Sequence, residues 1–192
     1  SERKQVSVLF ADLCESTRRV AGVDPEEARS TLDSALRIVC AEVEAYGGIV
    51  SQLLGDGVLA LFGAPVAQED HALRACLCAL AMHRQAQAAA AEGGVAHVFR
   101  VGIDSGEVAV GSVREFQAAH YRADGSTIHS ARRLEEGAPP GGTFIGAATL
   151  RLVEEQIEVI RRVELVAKGF GEPLVAYELE RSAVAPLARR RQ

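Results

Sequence analysis

Two acidic residues stand where acids do nothing for folding. Asp12 ends an apolar run, Val6 to Ala11, in which Val6, Val8 and Phe10 alternate with Ser7, Leu9 and Ala11. Asp56 sits in Gly55-Asp56-Gly57, between the apolar runs Ile49–Leu54 and Val58–Phe62. The first pattern predicts a buried strand and the second a hairpin turning on Gly-Asp. Carboxylates on two rigid strand ends suit Mg²⁺, which takes hard oxygen ligands and leaves positions open for phosphate. Spacing alone leaves a second reading open: Asp56 as a turn residue and Asp12 as a strand terminator. Ser16-Thr17, directly after Asp12, could open a short helix whose free N–H groups face a polyphosphate. No Walker A sequence occurs, which excludes a P-loop NTPase. His129 and Arg133 lie four apart in a helical pattern and share a face. Arg there could clamp a phosphate and His orient a sugar. With Arg132, Glu135 and Glu136 nearby, a solvated charged face is the other reading.

The elements that must position these residues can be read along the chain. Asp24-Pro25-Glu26-Glu27 announces a helix, with Asp24 as N-cap, Pro25 at the first position and Glu27 reaching back. Leu32, Leu36, Val39, Val43 and Tyr46 follow at helical spacing, and Gly47-Gly48 stops them. Leu73, Cys76, Leu77 and Leu80 mark a second helix, closed by Gly93-Gly94. Val95–Ile103 and Glu107–Gly111 are expected to form a second hairpin around Asp104-Ser105-Gly106. Residues 112–124 suggest a loop and a short strand. Ser126–Glu136 reads as a helix, Thr143–Ile145 as a strand and Ala147–Glu154 as a helix. Ile157–Val166 and Leu174–Leu179 read as a final antiparallel pair. The fold expected is α+β, a ferredoxin-like split βαβ core (βαββαβ) with a small C-terminal α/β extension. Its helices are expected on one face of the sheet.

Composition fits one domain. The chain has 192 residues, 48% hydrophobic and 24% charged, which excludes wholesale disorder. Aromatics are only 5%, so Val, Leu, Ile and Ala must fill the core. A net charge of −5 argues against a broad nucleic-acid footprint. No apolar run approaches a membrane span. Cys14, Cys40, Cys76 and Cys78 form no CxxC pair, and free thiols in a reducing cytoplasm are expected. Residues 1–181 are expected to be one domain and 182–192 a linker or frayed tail. The abrupt start and Arg-rich end suggest cut points in a larger signalling protein.

Taken together, the segments resemble the class III adenylyl/guanylyl cyclase catalytic domain. Residues 6–13, VSVLFADL, are similar to its first metal-binding strand, and residues 54–63, LGDGVLALFG, to its second. Residues 101–108, VGIDSGEV, match the hairpin that follows. Tyr121–Leu134 occupies the ribose- and transition-state-binding segment, and Glu172-Pro173 with Ala176-Tyr177 resembles the closing strand. A diguanylate-cyclase-type domain is disfavoured, because its GG-[DE]-[DE]-F hairpin is replaced by Leu-Gly-Asp-Gly-Val.

The resemblance implies a homodimer with shared active sites that cyclises ATP, or GTP. Asp12 and Asp56 of one protomer would bind two Mg²⁺ or Mn²⁺ per site. One ion would lower the pKa of the ribose 3′-hydroxyl, and the other would hold the departing pyrophosphate. The partner would supply two purine-reading residues together with an Asn and an Arg. Arg133 matches that transition-state arginine. Other positions depart from the family. The purine-reading Lys is Gln52, the second purine reader aligns with Arg122, and the ribose-orienting Asn aligns with His129. Ser126 stands for the usual Asp or Asn, and Glu15 for the phosphate-loop Gly. Arg122 only donates, so it suits guanine O6, with the Gln52 carbonyl accepting from guanine N1–H. Asp124, two residues on, shares a strand face with Arg122 and could read adenine instead. The family's habit puts ATP first. The altered set also leaves open a catalytically weak or inactive pseudo-cyclase, acting as a dimerisation or nucleotide-sensing module.

Overall fold

The computed structural model describes residues 2–14, 22–115, 118–166 and 171–181, with side chains except over 112–122. Strand β1 (Glu2–Leu13) leads into α1 (Pro25–Ala45). The hairpin β2 (Ile49–Leu54) and β3 (Gly57–Phe62) follows, then α2 (His71–Ala91). Strand β4 (Phe99–Glu115) pairs with β5 (Ala118–Asp124), and α3 (Ser126–Gly137) comes next. The chain continues through β6 (Thr143–Gly146) and α4 (Ala147–Val153). It ends on the pair β7 (Val159–Leu165) and β8 (Leu174–Leu179). The order β2-β3-β1-β4-β6-β8-β7, with β5 beside β4, contains the split βαβ core and its C-terminal extension. The elements begin where local chemistry says they should. Asp24 accepts from the Glu26 N–H at the start of α1, with Pro25 in the first turn. Gly55, at φ +65°, opens the two-residue turn between β2 and β3.

Two expectations need correction. Asp104-Ser105-Gly106 is no turn, and residues 95–98 precede the strand. β4 runs straight through, because β1 offers a ladder partner to each residue: Val8 to Asp104, Ser7 to Ser105 and Val6 to Gly106. A twelve-residue template outweighs local turn chemistry. The helices also lie on both faces of the sheet. α1, α2 and α4 bury Val39, Val43, Cys76, Leu80 and Val153 against Leu9, Ala11, Val101 and Ile103. α3 sits on the other face, with Ala131 and Ile128 over Val6, Val8, Phe10, Leu61 and Val108. Residues 6–11 of β1 are therefore buried on both faces, as a run apolar at every position but Ser7 requires. Each such Val, Leu or Phe contributes about 1.5–3 kcal/mol by leaving water. A polar seam crosses the larger core: Ser7 Oγ lies 2.7 Å from His71 Nδ1 and 2.7 Å from Ser105 Oγ, which lies 2.8 Å from Thr149 Oγ1.

α3 can lie close because β4 offers it glycine. A Cβ on Gly102 would stand 2.1 Å from the Glu135 backbone N, and one on Gly106 would stand 2.6 Å from Thr127 Oγ1. Both positions need a bare Cα.

Candidate active site

Asp12 ends β1 half-buried, opposite Gly57 of β3 and Arg100 of β4. The Leu13 N–H donates to the Asp56 carbonyl at 3.2 Å, which staples the β2–β3 turn to the end of β1. Asp12 near the end of β1 and Asp56 in the β2–β3 turn are therefore held at the same end of the sheet. Gly57 keeps this corner from crowding, since an added Cβ would press within 3.2 Å of the Ala11 carbonyl and 3.4 Å of Asp12 Oδ1. Among the described residues no group of three or more His, Cys, Asp or Glu gathers around a metal position. Two carboxylates suit Mg²⁺ or Mn²⁺, whose other positions are ordinarily filled by water and substrate phosphate.

Two further charged residues belong to this corner, and sequence reasoning missed both. Arg100 shares with Asp12 the sheet face that α3 covers, and its Nε is buried without a hydrogen bond. The signal was a cation between Phe99 and Val101 in an apolar stretch. Glu135 of α3 is only 6% exposed. Burial first, then the charges of Asp12 and Glu136, push its carboxyl up to about 7, against Arg100 and Arg132. The charged run of α3 hid it in the sequence. Burial also raises the thiol of Cys14, two residues beyond Asp12.

The Glu135 shift has a testable consequence. Its value in the fold lies above the ordinary 4.5, so the folded chain holds more proton between about pH 4.5 and 7. Stability from this group is full below that window and falls as pH rises through it. Buried His71 and His97 and half-buried His83 are pushed down by desolvation and tilt the curve the other way below about pH 6.5. The readout is thus a difference. Glu135→Gln should gain in melting temperature on wild type as pH rises from 5 to 8 in metal-free buffer. Parallel curves in calorimetry would contradict this.

The other candidates lie elsewhere. Gln52, half-buried, pairs with Leu59, which pairs with Phe10, so it shares the face of Asp12 two strands away. Asp124 is exposed opposite Ala109, and Arg122 lies opposite Gly111, eleven residues along β4 from Arg100. Strand β5, which carries both, also touches β2. His129 is exposed. Arg133 is half-buried, and its Nη2 donates to the Leu165 and Glu172 carbonyls at 3.5 and 3.4 Å. At about 100° per residue, Arg133 and His129 project about 200° and 240° around α3 from Glu135. Glu135 faces the aspartate corner, so these two face away from it. Glu15, Ser16 and Thr17, and the tail 182–192, lie outside the described residues.

A family model for the adenylate and guanylate cyclase catalytic domain matches residues 1–181. The chain belongs to that family. Adenylate cyclase 1 of Rhizobium meliloti (strain 1021) is 32% identical over 183 residues, 92% of this chain. The chain spans only 28% of that relative's length. The crystal structure of the guanylyl cyclase Cya2 superposes with a TM-score of 0.82 at 29% identity, covering 93% of this chain and 92% of that one. The adenylyl cyclase CyaB from P. aeruginosa gives 0.81 at 26% identity, covering 93% and 95%. No helix among the described residues is long and apolar enough to cross a membrane.

Proposed function

We propose that this domain converts ATP, with GTP as the second candidate, to the 3′,5′-cyclic nucleotide and pyrophosphate at sites shared between two copies of the chain. One observation carries the reading. The Leu13 N–H bond to the Asp56 carbonyl sets Asp12 beside the β2–β3 turn, and the Asp12 charge acts on Glu135 of α3, while His129 and Arg133 project about 240° and 200° around that helix from Glu135. One chain then offers two complementary half-sites facing different ways, and a symmetric pair completes them. Asp12 and Asp56 would hold Mg²⁺ or Mn²⁺, two per site, whose Lewis acidity favours ionisation of the 3′-hydroxyl and departure of pyrophosphate. The new bond joins the 3′-oxygen to the α-phosphorus, and the α–β phosphoanhydride bond breaks. Arg133 donates to the α-phosphate oxygens as charge grows there. His129 donates to a ribose oxygen. Arg100, with no bond at its buried Nε, adds positive charge on the aspartate side. Gln52 and either Arg122 or Asp124 read the purine, while Glu15, Ser16 and Thr17 belong to the phosphate segment. ATP stands first because the relative at 32% identity is an adenylate cyclase.

The second reading, a pseudo-cyclase regulating a longer protein, is favoured by Gln52, Arg122, His129 and Glu15 standing where the family has other residues. Four free cysteines suit a reducing, cytoplasmic setting in either case. The discriminating experiment compares wild type with a Gln52→Lys, Arg122→Asp, His129→Asn triple variant, each given ATP or GTP with Mn²⁺. The expected result is cyclic product from wild type and faster turnover of ATP by the triple variant. A silent wild type with an active triple variant would favour the pseudo-cyclase.

A further inference from the structure

The α3-facing side of β4 reads Arg100, Gly102, Asp104, Gly106 along the strand. Gly102 and Gly106 form a smooth floor, the first under the helix backbone at Ala131 and Glu135, the second under the Thr127 side chain. A smooth floor fixes how close the helix comes and does little to fix its roll. Asp104, between them, supplies a polar pin. Ser130 Oγ donates to Asp104 Oδ2 at 2.6 Å, and the Ser105 N–H donates to Asp104 Oδ1 at 2.9 Å. The carboxylate is wedged from behind as well, since a Cβ on Gly146 would stand 2.4 Å from Asp104 Oδ1. Ser130 also lies 3.1 and 3.2 Å from the Ser126 and Thr127 carbonyls, so its contact to Asp104 is the shortest it makes. Ser130 directly follows His129 and lies three residues before Arg133.

Roll matters for those two. A roll of about 10° moves a side chain about 6 Å from the helix axis by about 1 Å. A displacement of about 1 Å at a reacting centre can cost about a hundredfold in rate.

We propose that Asp104 is a positioning residue for cyclisation, which through Ser130 fixes the roll of α3 and so aims His129 and Arg133 at the half-site of the second copy. This rests on the cyclase reading above. Asp104 touches no substrate in it and does not serve the metal carboxylates, which stand at the end of β1.

The test uses the full chain with ATP or GTP, whichever wild type turns over, and Mn²⁺. Asp104→Ala and Ser130→Ala remove the same bond from opposite sides. Both should lower kcat by about 30- to 100-fold with the Mn²⁺ activation constant held within about twofold. Asp104→Asn keeps a polar contact to the hydroxyl and should recover kcat to within about fivefold of wild type. Thr149→Val removes a fully buried hydroxyl contact, to Ser105 and away from α3. It should leave kcat within about threefold of wild type even where its melting temperature falls as far as that of Ser130→Ala. An active wild type with unchanged kcat in Ser130→Ala would overturn the proposal and leave the cyclase reading standing. So would an equal kcat loss in Thr149→Val. A wild type silent with both nucleotides would overturn both. If Asp104→Ala does not fold, Ser130→Ala and Asp104→Asn carry the test.

Discussion

Asp56→Ala is expected to cut cyclic-nucleotide formation by at least about a thousandfold, some 4 kcal/mol of transition-state stabilisation, in line with the several kcal/mol a metal-held charge supplies. The fold should survive. Asp56 is a half-buried residue at the tip of the β2–β3 turn, outside the core clusters. The staple from the Leu13 N–H runs to its backbone carbonyl, which alanine keeps. The melting temperature should therefore move by no more than about 2 °C, as expected of a surface substitution of about 0.5 kcal/mol in a chain of this size. Asp12→Ala should behave alike in activity. Full activity in either variant, measured by chromatography of the nucleotide products, would remove the aspartates from the mechanism.

Arg133→Ala is expected to lose about 100- to 1000-fold in kcat, the usual cost of removing one donor aimed at growing charge. The larger effect appears on mixing. Asp56→Ala and Arg133→Ala chains, each nearly dead, should recover about a quarter of the wild-type rate at equal proportions, because half of the random pairs carry one intact site out of two. This follows from the roll of α3, which turns Glu135 toward the aspartates and Arg133 away from them. No recovery, with mixed pairs demonstrated by native mass spectrometry, would contradict a shared site.

Much of this was legible in the residues. The alternation of Val6 to Ala11 and the Gly55-Asp56 turn are local signals, and they put the two aspartates on strand ends. What pairs those strands is not local. β4 passes through Asp104-Ser105-Gly106 without turning because β1 lies beside it, and no window of sequence around Asp104 contains β1. Gly106, read as a turn residue, is instead the place where Thr127 packs. α3 occupies the second face of the sheet because Val8, Phe10 and Val108 need cover there. That need shows only once Leu9 and Ala11 are known to face α1 and α2. Arg100 and Glu135 are 35 positions apart in the chain (135 − 100) and meet at Asp12 only through the register of β4 and the glycine contact under α3. The helix face of His129 and Arg133 was evident from spacing, whereas its direction relative to the aspartates needed the fold.

Metal-dependent cyclisation of a purine nucleoside triphosphate is the reaction proposed for this chain. The measurement that bears on it most directly is the stoichiometry of products from wild type with ATP, and separately GTP, in Mn²⁺. Equimolar 3′,5′-cyclic nucleotide and pyrophosphate, abolished by EDTA and restored by added metal, is the predicted result. Nucleoside diphosphate with orthophosphate, or no conversion of either nucleotide, would contradict it.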